Sequence, residues 1–125
     1  MKRRNLMLAG AAALCSVGAA SAVAAPVAQE QSRIDRLISF VERQKGMTFV
    51  RNGTEYNCEE AGRFLRGKLE AMGSEITTAR QFIERIASKS SMSGKPYEVK
   101  FADGRVMLAE NFLGEELKRI ERQAA

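Results

Sequence analysis

The sequence predicts a small α+β domain. It would be an antiparallel sheet of three to four strands with about four helices packed on one face, in the order α-β-β-α-α-β-(β)-α. Three observations predict it. Asn52-Gly53 stands between two β-prone runs, a strong hairpin signal because a type I′ turn needs positive φ at both central residues. Tyr97 to Phe101 alternates apolar and charged residues with the period of a half-buried strand. Four further stretches repeat apolar residues at helical spacing between capping and turn residues.

The first helix is expected from Ser32 to Lys45, with Ile34, Leu37, Ile38 and Val41 forming one stripe and Gly46 suited to a left-handed C-cap. Met47 to Arg51 and Thr54 to Tyr56 are the two strands of the hairpin. Phe49 and Arg51 share one face and Val50 takes the other. Asn57 opens the second helix as N-cap, with Glu60 placed to complete a capping box. Its inward stripe is Cys58, Ala61, Leu65, Leu69 and Met72, with Phe64 beside it, and Gly73 ends it. A third helix is expected over Thr77 to Ser88 and buries Ile76, Ala79, Ile83 and Ile86, flanked by Phe82 and Ala87. The polar run Ser88 to Lys95 is a loop. Pro96 then opens the strand in which Tyr97, Val99 and Phe101 face the core. Ala102-Asp103-Gly104 turns the chain, and Arg105 to Leu108 pairs back as a short strand. The last helix, Ala109 to Arg122, turns Ala109, Phe112, Leu113, Leu117 and Ile120 inward.

The N-terminus has a different character. Lys2, Arg3 and Arg4 precede an apolar run from Leu6 to Val17, and Ala22-Val23-Ala24 has A-x-A spacing just before Pro26. That order is the pattern of a secretory signal, and the run is too short to span a bilayer. The expected organisation is a signal peptide over residues 1–24, a flexible lead-in over 25–31 and one domain over 32–122. The expected localisation is the periplasm after cleavage near Ala24, with no transmembrane segment left. Cys15 lies inside the apolar run behind Leu14, which does not suit lipidation. The residues around Arg3-Arg4 fit twin-arginine export poorly.

Removing the signal changes the chemistry available. The chain carries 20 basic and 15 acidic side chains, and no acidic residue precedes Glu30, so loss of three cations lowers the net charge from +5 to +2. So small a charge argues against nucleic acid as a partner. Cys58 becomes the single cysteine. The chain has 0 histidines, which excludes Ser-His-Asp and Cys-His catalysis and removes the commonest zinc and copper ligand. The acidic residues are scattered. No metal site and no cofactor is expected.

Three motifs carry candidate chemistry, each beside a plainer reading. Cys58, at a helix N-terminus, is a candidate reactive thiol. Its place on the apolar stripe and its neighbours Glu59 and Glu60 favour a buried small hydrophobe instead. The Ser88–Tyr97 loop holds Gly94-Lys95, but Pro96 stands where a phosphate loop needs Ser or Thr, and no S-x-x-K spacing occurs. The plainer reading is a connection whose serines satisfy loose backbone groups while Gly94 allows a turn. Arg51 is not required by the hairpin. Should the hairpin tip and the serine loop lie together, Arg51, Lys95 and loop amides form an anion-binding corner. The ligand-binding candidates are therefore Arg51, Asn52, Ser91, Ser93, Lys95 and Tyr97, with no catalytic residue assigned.

Two separated runs resemble one known family. Phe49-Val50-Arg51-Asn52-Gly53 with Cys58-x-Glu60-Ala61 and Leu65-x-x-Lys68-Leu69 is one. Thr78-Ala79-x-x-Phe82-Ile83-x-x-Ile86-Ala87-Ser88-x-Ser90-Ser91-x-Ser93-Gly94-Lys95-Pro96-Tyr97 is the other. Both are similar to the YfeK-like family, small exported proteins of Gram-negative bacteria with a domain of unknown function. The resemblance covers roughly Ile34 to Leu117 and implies a periplasmic address. It implies no activity, substrate or catalytic residue.

The function expected from all this is an exported, non-enzymatic domain that binds an envelope protein, another envelope component or an anionic ligand. The alternative is a small envelope enzyme or thiol-dependent factor using Cys58 or the Ser88–Tyr97 loop. A homodimer built on an edge strand or the terminal helix is a third reading.

Overall fold

A computed structural model describes residues 28–124; the signal-peptide reading, including Cys15 and the Ala22–Ala24 cleavage region, lies outside the described residues. Asn52 and Gly53 adopt φ of 52° and 81° and turn the chain between β1 (Thr48–Arg51) and β2 (Thr54–Tyr56), with Arg51 opposite Thr54. Two more strands, β3 (Glu98–Lys100) and β4 (Val106–Leu108), complete a four-stranded sheet in the order β2-β1-β3-β4, antiparallel throughout. The α+β class and the element order are as the sequence predicts.

The helices are α1 (Ala28–Glu42), α2 (Cys58–Met72), α3 (Ala79–Phe82) and α4 (Ala109–Ala124). Among the described residues none is long and apolar enough to cross a membrane. α2 starts where its sequence dictates: the Asn57 side chain accepts from the Glu60 amide at 2.8 Å, and the Glu60 carboxylate accepts from the Asn57 amide at 2.9 Å. This capping box satisfies two of the free amides at the helix start. Thr78 caps α3 in the same way, accepting from the Gln81 amide at 3.0 Å.

Three boundaries differ from expectation. α1 begins at Ala28, so residues 28–31 of the expected lead-in are helical. The reason is tertiary. One oxygen of Glu30 pairs with Arg33 at 2.8 Å, and the other accepts from the Ala79 amide at 2.8 Å, capping the start of α3 from 49 residues away. At its other end α1 stops at Glu42, and Gly46, at φ 82°, closes a separate turn in which the Met47 amide donates to the Gln44 carbonyl. Finally, the expected third helix is α-helical for four residues only. Ile83–Ala87 continues as a π-helical turn, ended by the Ser88 hydroxyl donating to the Glu84 carbonyl at 2.6 Å. Phe82, Ile83, Ile86 and Ala87 are fully buried there while Glu84 and Arg85 are exposed, so the segment turns one side to the core.

The core lies between the helices and one face of the sheet. Phe49, Tyr97 and Val99 supply the sheet side, and Leu37, Ile38, Leu65, Phe82, Ile86, Leu113 and Leu117 supply the helical side. Each such Leu, Ile or Phe contributes about 1.5–3 kcal/mol relative to exposure. Leu69 and Met72, at the C-terminal end of the α2 stripe, are half-buried and pack against this core. α1 and α2 approach closely enough that a Cβ at Gly62 would overlap the Glu42 side chain, which reaches across to Arg66 at 3.2 Å. The strand alternation is as expected: Phe49 and Arg51 lie under the helices, and Val50, Glu98 and Lys100 face outward.

Candidate functional site

The hairpin tip and the serine loop lie together. Asn52 joins them: its amide nitrogen donates to the Ser90 hydroxyl at 3.3 Å, and its carbonyl oxygen accepts from the Ser93 hydroxyl at 2.6 Å. The loop is closed on itself as well. The Ser90 hydroxyl accepts from the amides of Met92 and Ser93, both at 3.2 Å, and the Ser93 hydroxyl accepts from the Lys95 amide at 3.2 Å. The Gly94 amide donates to the Ser90 carbonyl at 2.9 Å, with Gly94 at φ 75°, and the Ser90 amide donates to the Lys95 carbonyl at 3.0 Å. Serine hydroxyls are thus the partners of backbone groups that no helix or strand satisfies. Ser91, between them, is exposed.

Arg51 sits beside this junction. Its guanidinium carbon lies 4.3 Å from the centre of the Phe64 ring, and its Nη1 donates to the Tyr56 hydroxyl at 3.0 Å. Phe64 belongs to an aromatic group with Phe49 and Tyr97, whose ring centres lie 5.4 to 6.4 Å apart. The stack orients the guanidinium and leaves several of its N–H donors uncommitted among the described residues.

A second cation, not among the expected site residues, completes the arrangement. Lys68, one turn beyond Phe64 on α2, donates to the carbonyls of Ile86 and Lys89, both at 3.0 Å, and to the Tyr97 hydroxyl at 3.1 Å. All three ammonium protons are therefore engaged, two of them at the carboxyl end of the π turn where carbonyls lack helical partners. Burial lowers the Lys68 pKa, and the Arg51 charge lowers it further. Burial raises the Tyr97 phenol, with the Arg51 charge pulling the other way. Among the described residues no carboxylate lies within 4.0 Å of Arg51 or Lys68. The two charges face a shallow pocket of about 240 Å³, walled by Phe64, Tyr97, Ser91 and Met92.

Lys95 stands elsewhere. It lines a separate depression of about 280 Å³ with Val50, Gly53, Pro96 and Glu98, while Asn52 borders both. The sheet alternation explains the split, since Arg51 shares the helix-covered face with Phe49 whereas Val50 and Glu98 are on the other. The structure therefore brings together Arg51, Asn52, Ser91 and Tyr97 in one pocket. It adds Phe64 and Lys68, and it leaves Lys95 around the corner. Lys68 had a faint signal in sequence, a position four residues after Phe64 on the flank of the buried stripe.

Cys58 occupies the first turn of α2, 5% exposed and in no disulfide among the described residues. It borders a shallow depression beside Tyr56, Met47 and the Lys45–Glu59 ion pair of 3.5 Å. Among the described residues no group of three or more acidic or cysteine side chains is placed to hold a metal ion.

Comparison with known proteins places the chain. Residues 28–121 match the model of a family of unknown function, DUF5329. The chain is also similar to the uncharacterized protein YfeK of Salmonella typhimurium strain LT2, with 49% identity over 70 residues. That match covers 56% of this chain and 58% of the relative, so the chain spans a little over half the length of the curated relative it matches. No solved structure matches. The family match takes in every strand and helix described above except the last three residues of α4, and the chain belongs to the DUF5329 family of unknown function.

Proposed function

We propose that this chain is an exported, non-enzymatic binding domain of the bacterial periplasm that takes an anionic group of a cell-envelope component at the hairpin tip and serine loop. One observation carries the reading: Arg51 and Lys68 converge on the Phe64–Tyr97 pocket with no carboxylate within 4.0 Å among the described residues. An anion entering there relieves the repulsion between the two cations and meets the free edge of a pre-oriented guanidinium. The pocket is smaller than the usual site for a drug-sized ligand, which suits a single charged group rather than a whole enclosed molecule. Export is supported by the basic, apolar and A-x-A order of residues 2–24.

The enzymatic alternative has less support. Cys58 is buried, and the hydroxyls of Ser90 and Ser93 are engaged in holding the loop. The test is a titration of isotopically labelled protein with inorganic phosphate and with acetate, followed by NMR. The amides of Asn52, Ser91 and Met92 and the Arg51 side chain are expected to shift, and Arg51→Gln is expected to abolish the response. A flat response at these positions to both anions would sink the reading.

A further inference from the structure

We infer that the envelope component is an anionic lipid surface, on which the serine loop lands with Met92 as its apolar tip. The inference rests on the anion-binding reading above and gives it a partner. Three features carry it. Met92 is 97% exposed, far more than Val106 at 52% and Leu108 at 38%, the other large apolar side chains exposed among the described residues. Its loop is not loose. Hydrogen bonds from Asn52, within the Ser90–Lys95 turn and across the Lys89–Pro96 bridge hold the apex in one shape, so Met92 is presented rather than left over from an unstructured segment.

The charge around that apex is one-sided. Lys89 and Lys95 flank it, both exposed, and Arg51 and Lys68 stand behind it in the pocket that Met92 borders. Among the described residues none of the four has a carboxylate within 4.0 Å. Glu98 shares the Lys95 depression and is half-buried. Val106 and Leu108 lack this setting: they lie on an edge strand, Leu108 directly opposite Glu98, beyond a turn in which Arg105 is neutralised by Asp103.

One exposed apolar side chain, with an exposed lysine three residues away on either side along the chain and Arg51 and Lys68 in the pocket it borders, matches the interface of an anionic bilayer, where the thioether enters the acyl boundary and Arg51 and the exposed lysines meet headgroup phosphates. A free inorganic anion would make no use of Met92. A stable protein interface needs a broader apolar core than a single exposed residue. The binding expected is weak, reversible and salt-sensitive.

The test is co-sedimentation of the exported chain with vesicles of phosphatidylcholine alone and with vesicles containing an equal part of phosphatidylglycerol. Binding to the anionic vesicles only is expected, and added salt is expected to reduce it. Lys95→Gln is expected to lower partitioning about five-fold, and Met92→Ser by a similar factor of about five. Both positions are exposed, and circular dichroism checks that the variants remain folded. Met92→Trp is expected to show a blue-shifted emission with the anionic vesicles alone. Equal binding to neutral vesicles overturns the inference. So does an unshifted tryptophan, or a soluble protein that occupies the Met92 surface while anionic vesicles do not bind. If phosphate still perturbs Arg51 but no vesicle binds, the lipid inference falls and the anion site stands; if neither happens, both fall.

Discussion

The two hairpins of the sheet end in the same device and use it differently. At the tip of the first, Arg51 stacks on Phe64 at 4.3 Å; at the tip of the second, Arg105 stacks on Phe101 at 4.7 Å. The second arginine is closed off. Asp103 accepts from its backbone amide at 3.0 Å and from its Nε at 2.8 Å, and those bonds, the backbone one first, hold the Asp103 carboxyl below its ordinary range. Among the described residues the first arginine has no such carboxylate, and it has a second cation, Lys68, beside it. Stacking on a ring is thus common to a finished turn and to a candidate site. What separates them is whether the charge is answered locally, and the difference suggests where a ligand's charge is wanted.

The most disruptive way to test the contrast is to remove Lys68. Lys68→Met keeps the aliphatic stem and deprives the Ile86 and Lys89 carbonyls and the Tyr97 hydroxyl of their donor. A loss of about 2 kcal/mol is expected in urea denaturation. No change in midpoint would mean that Lys68 is not part of the architecture of the site. Asn52 comes next. Asn52→Gly keeps the left-handed turn and removes the two bonds to the serine loop, for an expected loss of about 1 kcal/mol. Asn52→Ala loses the same bonds and also lacks the local polar contacts that let asparagine tolerate positive φ, about 1 kcal/mol more than the glycine variant. The two variants together divide turn strain from tethering.

Asp103→Ala, in the other hairpin, is expected to leave the urea midpoint unchanged, because that pair is exposed. A destabilisation matching that of Asn52→Gly would break the contrast between the two tips. The finest effect is electrostatic. In a Tyr56→Phe background, Tyr97 is followed alone by tyrosinate absorbance and is expected to titrate above the ordinary tyrosine range. Adding Arg51→Gln is expected to raise it further, since the Arg51 charge favours the phenolate. The raised phenol contributes stability that is complete below the unfolded tyrosine value and is lost as pH climbs through the folded one. Lys68 acts with the opposite sign: the folded chain holds that proton less tightly, so its share of stability rises with pH up to the unfolded value of 10.5.

Local patterns made most of the fold legible. Asn52-Gly53, the Asn57–Glu60 box and the alternation of Tyr97 to Phe101 are short-range statements, and each holds in the structure because its partners are nearby in sequence. The same alternation put Arg51 on the helix side, which was half of the candidate site. The other half was only faintly legible, because Lys68 meets Ile86, Lys89 and Tyr97 across 18, 21 and 29 residues. No spacing rule announces a lysine that caps another segment's carbonyls. The π turn was hidden for a related reason. Ile83, Ile86 and Ala87 keep an apolar pattern that suits an α-helix, and nothing in that pattern marks the wider turn.

Glu30 has a kinetic consequence beyond the place where α1 begins. A single carboxylate holds both the first turn of α1, through Arg33, and the first amide of α3. Fraying of one helix end therefore uncaps another 49 residues away. Hydrogen exchange at the Ala79 amide reports that opening directly: its protection depends on Glu30 staying docked, and Glu30→Gln is expected to make it exchange faster while the amides of α2 keep their rates. Two helix starts that are remote in sequence would then open as one unit.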